Sequence, residues 1–572
     1  MLGDKWICDR TPTARFPSYT RANAGEVLAD PVTPLGWTFC WESGVVLGCR
    51  DGFVSFGVFD PDEYGNPPES FGLFGGYFYN SLMQARLMGV RMPGASPEAV
   101  DKAYFDNHPD VPPYVAEPWH ESPAHAEKLG TTMATVMSVD HYQPIDDQKT
   151  LTLRLRAERP DLSKLSDVEL VARARSMQPH IVRLFEQHVW ASLGASLGPG
   201  AIGAICAGIG RPGDAVQLLT GIGDVDSAEI ARDLWKLSRA IRASTELTAA
   251  FDAGVDGVAA TIKGNAFAKE LAAFVDEHGS RGPNEWDCGA PTYETKPRLA
   301  LAQLDALRKQ GDAADPMAAF ARNAAERARL AEEVGELVAG DAETAGLFTA
   351  AYHSAALWLA TRERCKNNNI RAIHEVRMCF DEIGRRATKA GHLAHAGQIY
   401  MLLEDEIDAF VAAPGSFRVK LADREIDYHA LFDLDPPFIV NGVCPPVSSW
   451  PRKADVPILP IAAGDVLNGA ACSPGTITGR ARIVLDAGNP EALEPGDILV
   501  TVNTDPSWTP LFLAAGAVVT NVGALGSHAS IVSRELGIPC VASVADASRR
   551  IPDGATLTVD GTNGTVTVVA LP

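Results

Sequence analysis

The sequence predicts a multidomain α+β protein, and three observations lead to this fold class. First, 572 residues at roughly 100–200 residues per domain correspond to about three to five units. Second, residues 150–275 and 295–412 read mainly as helices, as in Glu326–Val338, where apolar residues recur at helical spacing between charges. Third, from about residue 463 short β-branched runs alternate with short helical patterns, which is typical of a small α/β unit.

The N-terminal part of the chain differs in composition from the helical blocks. Residues 1–130 are rich in glycine, proline and aromatic residues, and their apolar runs are short. This pattern predicts strands and loops rather than long helices up to about residue 130. We therefore expect residues 1–440 to form one domain, with a β-containing N-terminal part followed by a mainly helical part.

Prolines cluster between residues 436 and 460, and because proline fixes φ and lacks an N–H, residues 441–462 are predicted to be a semi-stiff linker. Residues 463–572 are predicted to fold as a separate α/β domain. Its expected elements are strands at 483–485, 498–502, 517–520 and 540–543, helices at 511–515 and 530–536, and a β-hairpin around Asp560–Gly564.

Composition and charge narrow the function classes. The formal net charge is −22, and an acidic surface repels phosphate backbones and anionic lipid headgroups. We therefore expect no nucleic-acid partner and no membrane partner, and a phosphate-handling site would need a local basic pocket. The ten cysteines form no CxxC pair, and the first residues lack the apolar core of a signal peptide, so a cytoplasmic protein without disulfides is expected.

Two segments resemble motifs of other protein classes. Val189–Gly210 runs without a charge and is long enough to span a bilayer, but it is rich in glycine. We interpret it as two buried helices broken near Gly198–Gly200. Gly208–Gly213 is formally a GxGxxG sequence, but a helical pattern precedes it and Pro212 lies within it, so a turn is expected rather than a dinucleotide site.

The segment Thr520–Pro539 carries the densest chemical signal. An apolar strand runs into a glycine-rich loop, Ser527 is a natural N-cap, His528 begins a helix, and Gly537 ends it. The partial positive charge of a helix N-terminus disfavours imidazolium, which keeps His528 a neutral nucleophile. The unpaired N–H groups could also hold a phosphoryl group on the ring. The arrangement suits a phosphohistidine, and an ordinary cap-region histidine is the alternative.

The C-terminal residues resemble the swivelling phosphohistidine domain of the PEP-utilising enzymes, a group that includes pyruvate phosphate dikinase, PEP synthase and the rifampicin phosphotransferases. The resemblance implies that His528 becomes phosphorylated and that Gly523, Gly526 and Ser527 support its loop. Ala524 departs from the family, where a second glycine is common. The matching segments are Gly496–Val500, Thr504–Pro510, Gly526–Pro539, Val559–Gly561 and Gly564–Val566.

The rest of the chain resembles the substrate domain of rifampicin phosphotransferase-like proteins at Tyr19–Leu35, His278–Asp287 and Arg362–Lys366. Arg362 and Lys366 lie one helical turn apart and could stabilise a phosphoryl group in transit; a surface charge cluster is the alternative. Four further residues could orient the acceptor or take its proton, and structural ion pairing is their alternative role. These are His278, Arg281, Glu285 and Asp287.

The sequence shows neither the nucleotide-binding motifs of an ATP-grasp domain nor a GxxxxGK[ST] motif, and it leaves no room for a PEP-binding barrel. The leading hypothesis is therefore a phosphotransferase subunit of a two-component dikinase. A separate ATP-grasp subunit would load His528 from ATP with Mg²⁺, and the acceptor would be a small hydroxylated molecule. The layout resembles phenylphosphate synthase and the hydroxyphenyl-ketone kinases of aromatic degradation, which favours a phenolic acceptor. An antibiotic phosphotransferase subunit and a non-catalytic phosphocarrier are the alternatives.

Overall fold

The structure, a computed structural model, describes residues 3–105, 110–223, 225–487, 493–505, 508–524 and 526–572, except the side chains of residues 103, 104, 227, 313 and 510. The chain divides into two compact units. Unit 1 contains Met1–Gly194, Trp286–Ala290 and Arg364–Pro457, and unit 2 contains Ala195–Glu285, Pro291–Glu363 and Ile458–Pro572.

Helices account for most of the regular structure, and two of them, Asp167–Gly208 and Ala342–Lys389, are exceptionally long. Shorter 3₁₀ turns connect several of the helices, and a π-helix over Gly36–Val45 leads directly into the helix Val46–Phe56. The helices are α1 (Ala24–Val27), α2 (Val46–Phe56), α3 (Leu82–Arg91), α4 (Pro97–Phe105), α5 (Pro123–Ser138), α6 (Gln143–Ala157), α7 (Asp167–Gly208), α8 (Asp214–Gln217), α9 (Asp226–Ala243), α10 (Thr245–Asp252), α11 (Val255–Thr261), α12 (Ala266–His278), α13 (Arg298–Arg308), α14 (Pro316–Val338), α15 (Ala342–Lys389), α16 (Ile407–Ala412), α17 (Arg418–Leu431), α18 (Thr509–Ala514), α19 (His528–Leu536) and α20 (Ala547–Arg550).

The strands form one sheet in each unit. The sheet of unit 1 has the order β2-β3-β1-β4, and that of unit 2 has the order β5-β12-β11-β7-β8-β9-β10-β6. The strands are β1 (Ser18–Thr20), β2 (Phe71–Phe74), β3 (Tyr77–Ser81), β4 (Ile439–Asn441), β5 (Val466–Asn468), β6 (Ala470–Ser473), β7 (Thr476–Ile483), β8 (Ile498–Thr501), β9 (Ala517–Thr520), β10 (Cys540–Ala542), β11 (Thr556–Asp560) and β12 (Thr565–Ala570). The predicted α+β class is therefore confirmed.

The N-terminal part of unit 1 is more helical than the sequence predicts. The expectation of strands and loops up to residue 130 is wrong for the π-helix and for α2 to α5. Glycines at every fourth position, Gly44, Gly48 and Gly52, let α7 approach closely; a Cβ on Gly52 would lie 2.6 Å from the Cβ of Val189. The glycines that signalled turns in the sequence therefore serve close helix packing, and the aromatic residues around them form the buried core of unit 1.

The apolar segment Val189–Gly210 also departs from the prediction, because α7 continues without a break through Gly198–Gly200. A Cβ on Gly198 would lie 2.6 Å from the backbone nitrogen of Ala355 in α15, so this glycine permits close packing inside unit 2. Among the described residues, α7 alone is long and apolar enough to span a membrane, with a mean hydropathy of 1.4 over an 18-residue stretch, half of it buried. A core helix of a water-soluble protein passes the same test.

The central strands of the unit 2 sheet are parallel. Strands β7, β8, β9 and β10 are parallel neighbours, and the residues of β8, β9 and β10 are buried on both faces. Such burial is typical of parallel strands that are covered on both sides. The predicted positions of β8, β9, β10, α18, α19 and the terminal hairpin are confirmed to within three residues, whereas the strand expected at 483–485 ends at Ile483.

The two compact units do not coincide with the predicted division into 1–440, 441–462 and 463–572. Residues 458–572 group with 195–285 and 291–363, which the sequence assigned to the substrate domain. Such grouping depends on tertiary contacts between distant segments, which composition does not encode. The proline-rich stretch 451–460 is almost entirely exposed, and all ten cysteines are free thiols.

Candidate functional site

His528 lies at the first position of α19, directly after the loop that follows β9. Ser527 caps this helix, because its hydroxyl accepts a hydrogen bond from the backbone N–H of Ser530 at 3.3 Å. Gly537 ends the helix in the left-handed conformation, with φ of 70°. Both caps were predicted, and together they fix a helix of nine residues whose N-terminus carries the histidine.

Two side chains that the sequence did not single out orient the His528 ring. The hydroxyl of Thr504 lies 3.0 Å from Nδ1, and the ring of Phe512 packs edge-on at 5.7 Å between centroids. Thr504 is buried, so the hydrogen bond is shielded from water and holds Nδ1 in place. Thr504 belongs to the Thr504–Pro510 motif, which is the signal that could have identified it; Pro506 and Ser507 of that motif lie outside the described residues.

The glycines of the preceding loop are required by close contacts. A Cβ on Gly523 would lie 2.8 Å from the Cβ of Ala542 on the neighbouring strand. The carbonyl of Gly526 accepts a hydrogen bond from Nη1 of Arg362 at 2.7 Å, and a Cβ at this position would collide with the same guanidinium. Leu525, between them, lies outside the described residues. The loop is therefore shaped by its sheet on one side and by Arg362 on the other.

Arg362 and Lys366 both lie on α15, as their spacing predicted. Arg362 is half-buried in unit 2, and its bond to Gly526 brings a cation to the loop that presents His528. Lys366 is also half-buried but belongs to unit 1. Of this predicted pair, Arg362 therefore lies at the histidine loop within unit 2.

His278 ends α12 and is buried in unit 2. Its Nε2 lies 3.0 Å from Oδ2 of Asp233 on α9, and its ring packs against Phe274. Burial alone would raise the pKa of Asp233, but the hydrogen bonds from His278 and Arg232 outweigh it and lower the pKa to about 2. His278 thus has the environment of a structural ion pair.

Arg281 and Glu285 form a two-pronged ion pair in the interior of unit 2. Nε of Arg281 donates to Oε2 at 2.8 Å and Nη2 donates to Oε1 at 3.2 Å, while the side chains are only 3% and 2% exposed. Asn284, between them, has φ of 53°, and its backbone N–H donates to Oδ2 of Asp505 at 3.4 Å. Asn284 of the His278–Asp287 segment thus contacts Asp505 of the Thr504–Pro510 motif, whereas Arg281 and Glu285 bind each other.

Asp287 lies in unit 1 and anchors the N-terminal segment around Thr33. Its carboxylate accepts hydrogen bonds from the backbone N–H of Thr33 at 2.7 Å, from the Thr33 hydroxyl at 2.6 Å and from the N–H of Gly289 at 2.8 Å. Burial raises the pKa of Asp287, although these hydrogen bonds oppose the change. The bonds join two of the sequence segments that resemble the substrate domain, and they give Asp287 a structural role.

A cleft of about 910 Å³ opens in unit 1, which lies within the usual size range of ligand pockets. Tyr19 and several hydroxyl and carboxylate side chains line it. Arg10, also in the lining, donates to Oε1 of Glu42 at 2.7 Å. The polar residues of the lining are Asp9, Arg10, Thr11, Thr13, Thr38, Glu42, Asn66, Glu69, Arg175, Glu404 and Asp405.

Within the described ranges, one group of side chains has the spacing of metal ligands: Asp60, Glu63 and His125 of unit 1 offer ligand atoms within 4.8 Å of one another. Arg91, however, donates to both oxygens of Glu63 at 2.9 and 2.7 Å, and Arg15 donates to one of them at 3.1 Å. With Lys128 at 3.5 Å from Asp60, three cations surround two carboxylates. This group does not fit Mg²⁺, which needs uncompensated oxygen ligands.

Two parts of the chain match known families. Residues 493–564 match the PEP-utilising enzyme mobile domain, and residues 180–363 match the rifampicin phosphotransferase fourth domain. The first range contains His528 and most of its surroundings. The second contains His278, Arg281, Glu285 and Arg362. Both matched regions lie mainly in unit 2.

Three relatives extend the comparison. An uncharacterised protein of Mycobacterium tuberculosis is 27% identical over 97% of this chain and 62% of its own length. A rifampicin phosphotransferase of Streptomyces sviceus is 30% identical over 52% of this chain and 34% of its own length. A phosphoenolpyruvate synthase of Aeropyrum pernix is 38% identical over 25% of this chain and 18% of its own length. The chain thus spans less than two thirds of the length of these relatives, resembles the PEP-utilising enzyme mobile domain over residues 493–564, and is similar in part to a rifampicin phosphotransferase and a phosphoenolpyruvate synthase.

Proposed function

We propose that this chain is a phosphotransferase that carries a phosphoryl group on His528 and passes it to the hydroxyl group of a small acceptor. The observation that supports this most directly is the setting of the histidine. Its ring stands at a capped helix N-terminus, Thr504 engages Nδ1, and Arg362 bonds to the loop two residues before it. A nucleophile, its orienting group and a cation for the transferred charge are thus close together.

The Thr504 contact suggests which ring nitrogen reacts. If Nδ1 carries the proton and donates to the Thr504 hydroxyl, the lone pair is on Nε2. Nε2 then attacks phosphorus, an N–P bond forms, and the P–O bond to the donor breaks. In the second transfer the acceptor hydroxyl releases its proton to solvent, a new P–O bond forms, and the N–P bond breaks. The imidazole leaves neutral with its proton still on Nδ1, which makes it a good leaving group.

The donor in this proposal is ATP bound to a separate ATP-grasp subunit, which transfers its β-phosphoryl group to His528 and yields AMP and phosphate. Mg²⁺ would accompany ATP on that subunit, where it neutralises the phosphate charge. No step in this chain is assigned to a metal, since Glu63 is already paired with Arg15 and Arg91, and Asp60 lies beside Lys128. The resemblance to split dikinases of aromatic degradation supports the two-component arrangement.

The acceptor is proposed to be a hydroxylated organic molecule that binds outside the mobile domain. The cleft of unit 1 has the volume for such a molecule, and its threonine and carboxylate side chains can hydrogen-bond hydroxyl groups. Phenols and a rifamycin-type antibiotic are the two acceptor classes to test. The aromatic residues of the N-terminal part do not favour phenols, because Trp37 and Trp41 are fully buried in the core.

The experiment is intact-mass analysis after incubation with Mg-ATP, with and without a candidate ATP-grasp protein. We expect an acid-labile phosphoryl adduct that requires the ATP-grasp protein and is missing in His528→Ala. The variant Ser448→Ala, in unit 1, is the matched control. Labelling of the chain by ATP alone would contradict the two-component arrangement, and labelling by PEP would assign a different donor. A charged chain that discharges to none of the acceptors would favour a phosphocarrier.

A further inference from the structure

Two side chains hold the C-terminal end of α19, the helix that begins at His528. They are Asn323 of α14 and Glu535 of α19 itself. We infer that Asn323 and Glu535 are positioning residues, which together hold the helix α19 against α14 and the segment 222–223 in unit 2. The catalytic consequence of this inference rests on the proposed function. In that function, Asn323 and Glu535 stabilise the docked state, in which the helix of His528 packs against the rest of unit 2.

Asn323 acts as a cap supplied by another helix. The last carbonyl groups of an α-helix have no partner within the helix. Nδ2 of Asn323, on α14, donates to the carbonyl of Arg534 at 3.1 Å and to that of Glu535 at 2.7 Å. A Cβ on Gly537 would lie 2.8 Å from Oδ1 of Asn323, so the glycine that ends α19 also makes room for the amide. One side chain thus satisfies two carbonyl groups of α19.

Glu535 forms the reciprocal contact, from α19 outward. Its carboxylate accepts hydrogen bonds from the backbone N–H of Ile222 at 3.0 Å and of Gly223 at 3.4 Å. The side chain is buried, and burial raises its pKa even though the two N–H bonds oppose the change. Gly221 and Gly223 both have positive φ, of 69° and 90°, so the segment is bent to present consecutive N–H groups to the carboxylate.

Helix α14 supports both contacts, so we expect them to form and break together. Arg327, one turn after Asn323 on α14, donates to the carbonyl of Leu218 at 2.8 Å and to that of Tyr352 at 3.3 Å. A Cβ on Gly221 would lie 2.5 Å from the carbonyl carbon of Asn323. The segment that gives its N–H groups to Glu535 therefore rests on the same face of α14 that caps α19. Release of α19 must break both sets of bonds.

Polar contacts of this kind suit a carrier that has to dock and leave. A few hydrogen bonds fix the orientation of a helix, and their net contribution to stability is modest because each can be exchanged for a bond to water. Asn323 and Glu535 make four hydrogen bonds at one end of α19, and Arg362 adds a fifth at the other end through Gly526. Both ends of the His528 helix are thus held by side chains from outside residues 458–572.

Hydrogen exchange followed by mass spectrometry tests the coupling on the full chain. Asn323 does not bond to Ile222 or Gly223, so a merely local cap would leave their amide exchange unchanged. We expect Asn323→Ala to speed exchange of these two amides about tenfold, because α19 and the segment 222–223 open together. Arg322→Ala, at the exposed neighbouring position of α14, is the control and should leave exchange unchanged. Unchanged exchange in Asn323→Ala would overturn the inference.

The kinetic arm separates positioning from folding. Glu535→Gln keeps the shape of the side chain, and we expect it to leave loading of His528 within twofold of wild type while slowing discharge to the acceptor about tenfold. Equal slowing of both half-reactions, or of neither, would contradict a positioning role at the acceptor stage. If wild-type His528 is never loaded, the proposed function fails, and the exchange experiment still decides whether the two contacts are coupled.

Discussion

Nη1 of Arg362 donates to the carbonyl of Gly526 at 2.7 Å, two residues before His528. The bond holds a guanidinium at the loop through which β9 reaches the histidine helix. The absence of a side chain on Gly526 makes the approach possible, since a Cβ there would collide with the same group. An acidic chain with a net charge of −22 thus places a local cation beside its proposed phosphoryl carrier, which is where electrostatic stabilisation of transferred charge is needed.

Replacement of Arg362 should therefore impair phosphoryl transfer more than folding. We expect Arg362→Ala to slow discharge of phosphorylated His528 to the acceptor by about 100-fold, the usual effect of removing one donor that stabilises developing charge. Arg362→Lys should recover part of the rate, because a point charge replaces the guanidinium. Quenched-flow measurement of the acid-labile adduct gives both rates. Arg329→Ala, an exposed arginine of α14, is the control, and equal effects of the two alanine variants would contradict a role at the site.

Thr504 should control the proton on the His528 ring. Thr504→Val removes the hydroxyl that lies 3.0 Å from Nδ1 and keeps the shape of the side chain. The loss of one hydrogen bond of about 1 kcal/mol corresponds to a rate loss of about fivefold. Thr504→Ser should retain the wild-type rate. Nitrogen NMR of the labelled ring reports the tautomer, and a ring that keeps its proton on Nδ1 in Thr504→Val would contradict this role of the hydroxyl.

The sequence was informative where local rules decide the structure. Ser527 and Gly537 mark the ends of α19, and β-branched runs mark β8 and β9, because caps and burial act over a few residues. The residues that complete the site could not be predicted in this way. Phe512 and Asn323 lie 16 and about 200 positions from His528, and only tertiary packing brings them to α19. The glycines of α2 led to a wrong prediction of strands and loops for the same reason, because they pack against α7, which is distant in the sequence.

The Asp233–His278 pair should stabilise unit 2 in a pH-dependent way. The pKa of Asp233 is about 2 in the folded state and 3.8 as its ordinary value, so the contribution is complete above about pH 4 and is lost as the pH falls towards 2. We expect Asp233→Asn to be less stable than wild type at pH 6, with the difference shrinking below pH 4. Urea unfolding at each pH measures it, with Asp276→Asn, exposed on α12, as control. A constant difference from pH 6 to pH 2 would contradict this assignment.

The buried pair Arg281–Glu285 allows a structural role to be separated from a chemical one. Removal of one partner strands a charge in the interior, so Glu285→Ala should lower the free energy of unfolding by about 3–5 kcal/mol. The double variant Arg281→Met/Glu285→Leu removes both charges and should recover most of that stability, because apolar groups of similar volume avoid the desolvation cost. Denaturant titration of the three proteins measures these changes.

The same double variant then tests whether either residue acts on the substrate. Both side chains are bonded to each other and only 3% and 2% exposed, so we expect the folded double variant to load and discharge His528 within about threefold of wild type, a change of less than 1 kcal/mol in the barrier. A loss of about 100-fold in discharge, in a protein of wild-type stability, would instead assign Arg281 or Glu285 to the acceptor. That result would restore the proton-transfer role that their position in the His278–Asp287 motif suggested, and it would require the pair to open when the acceptor binds.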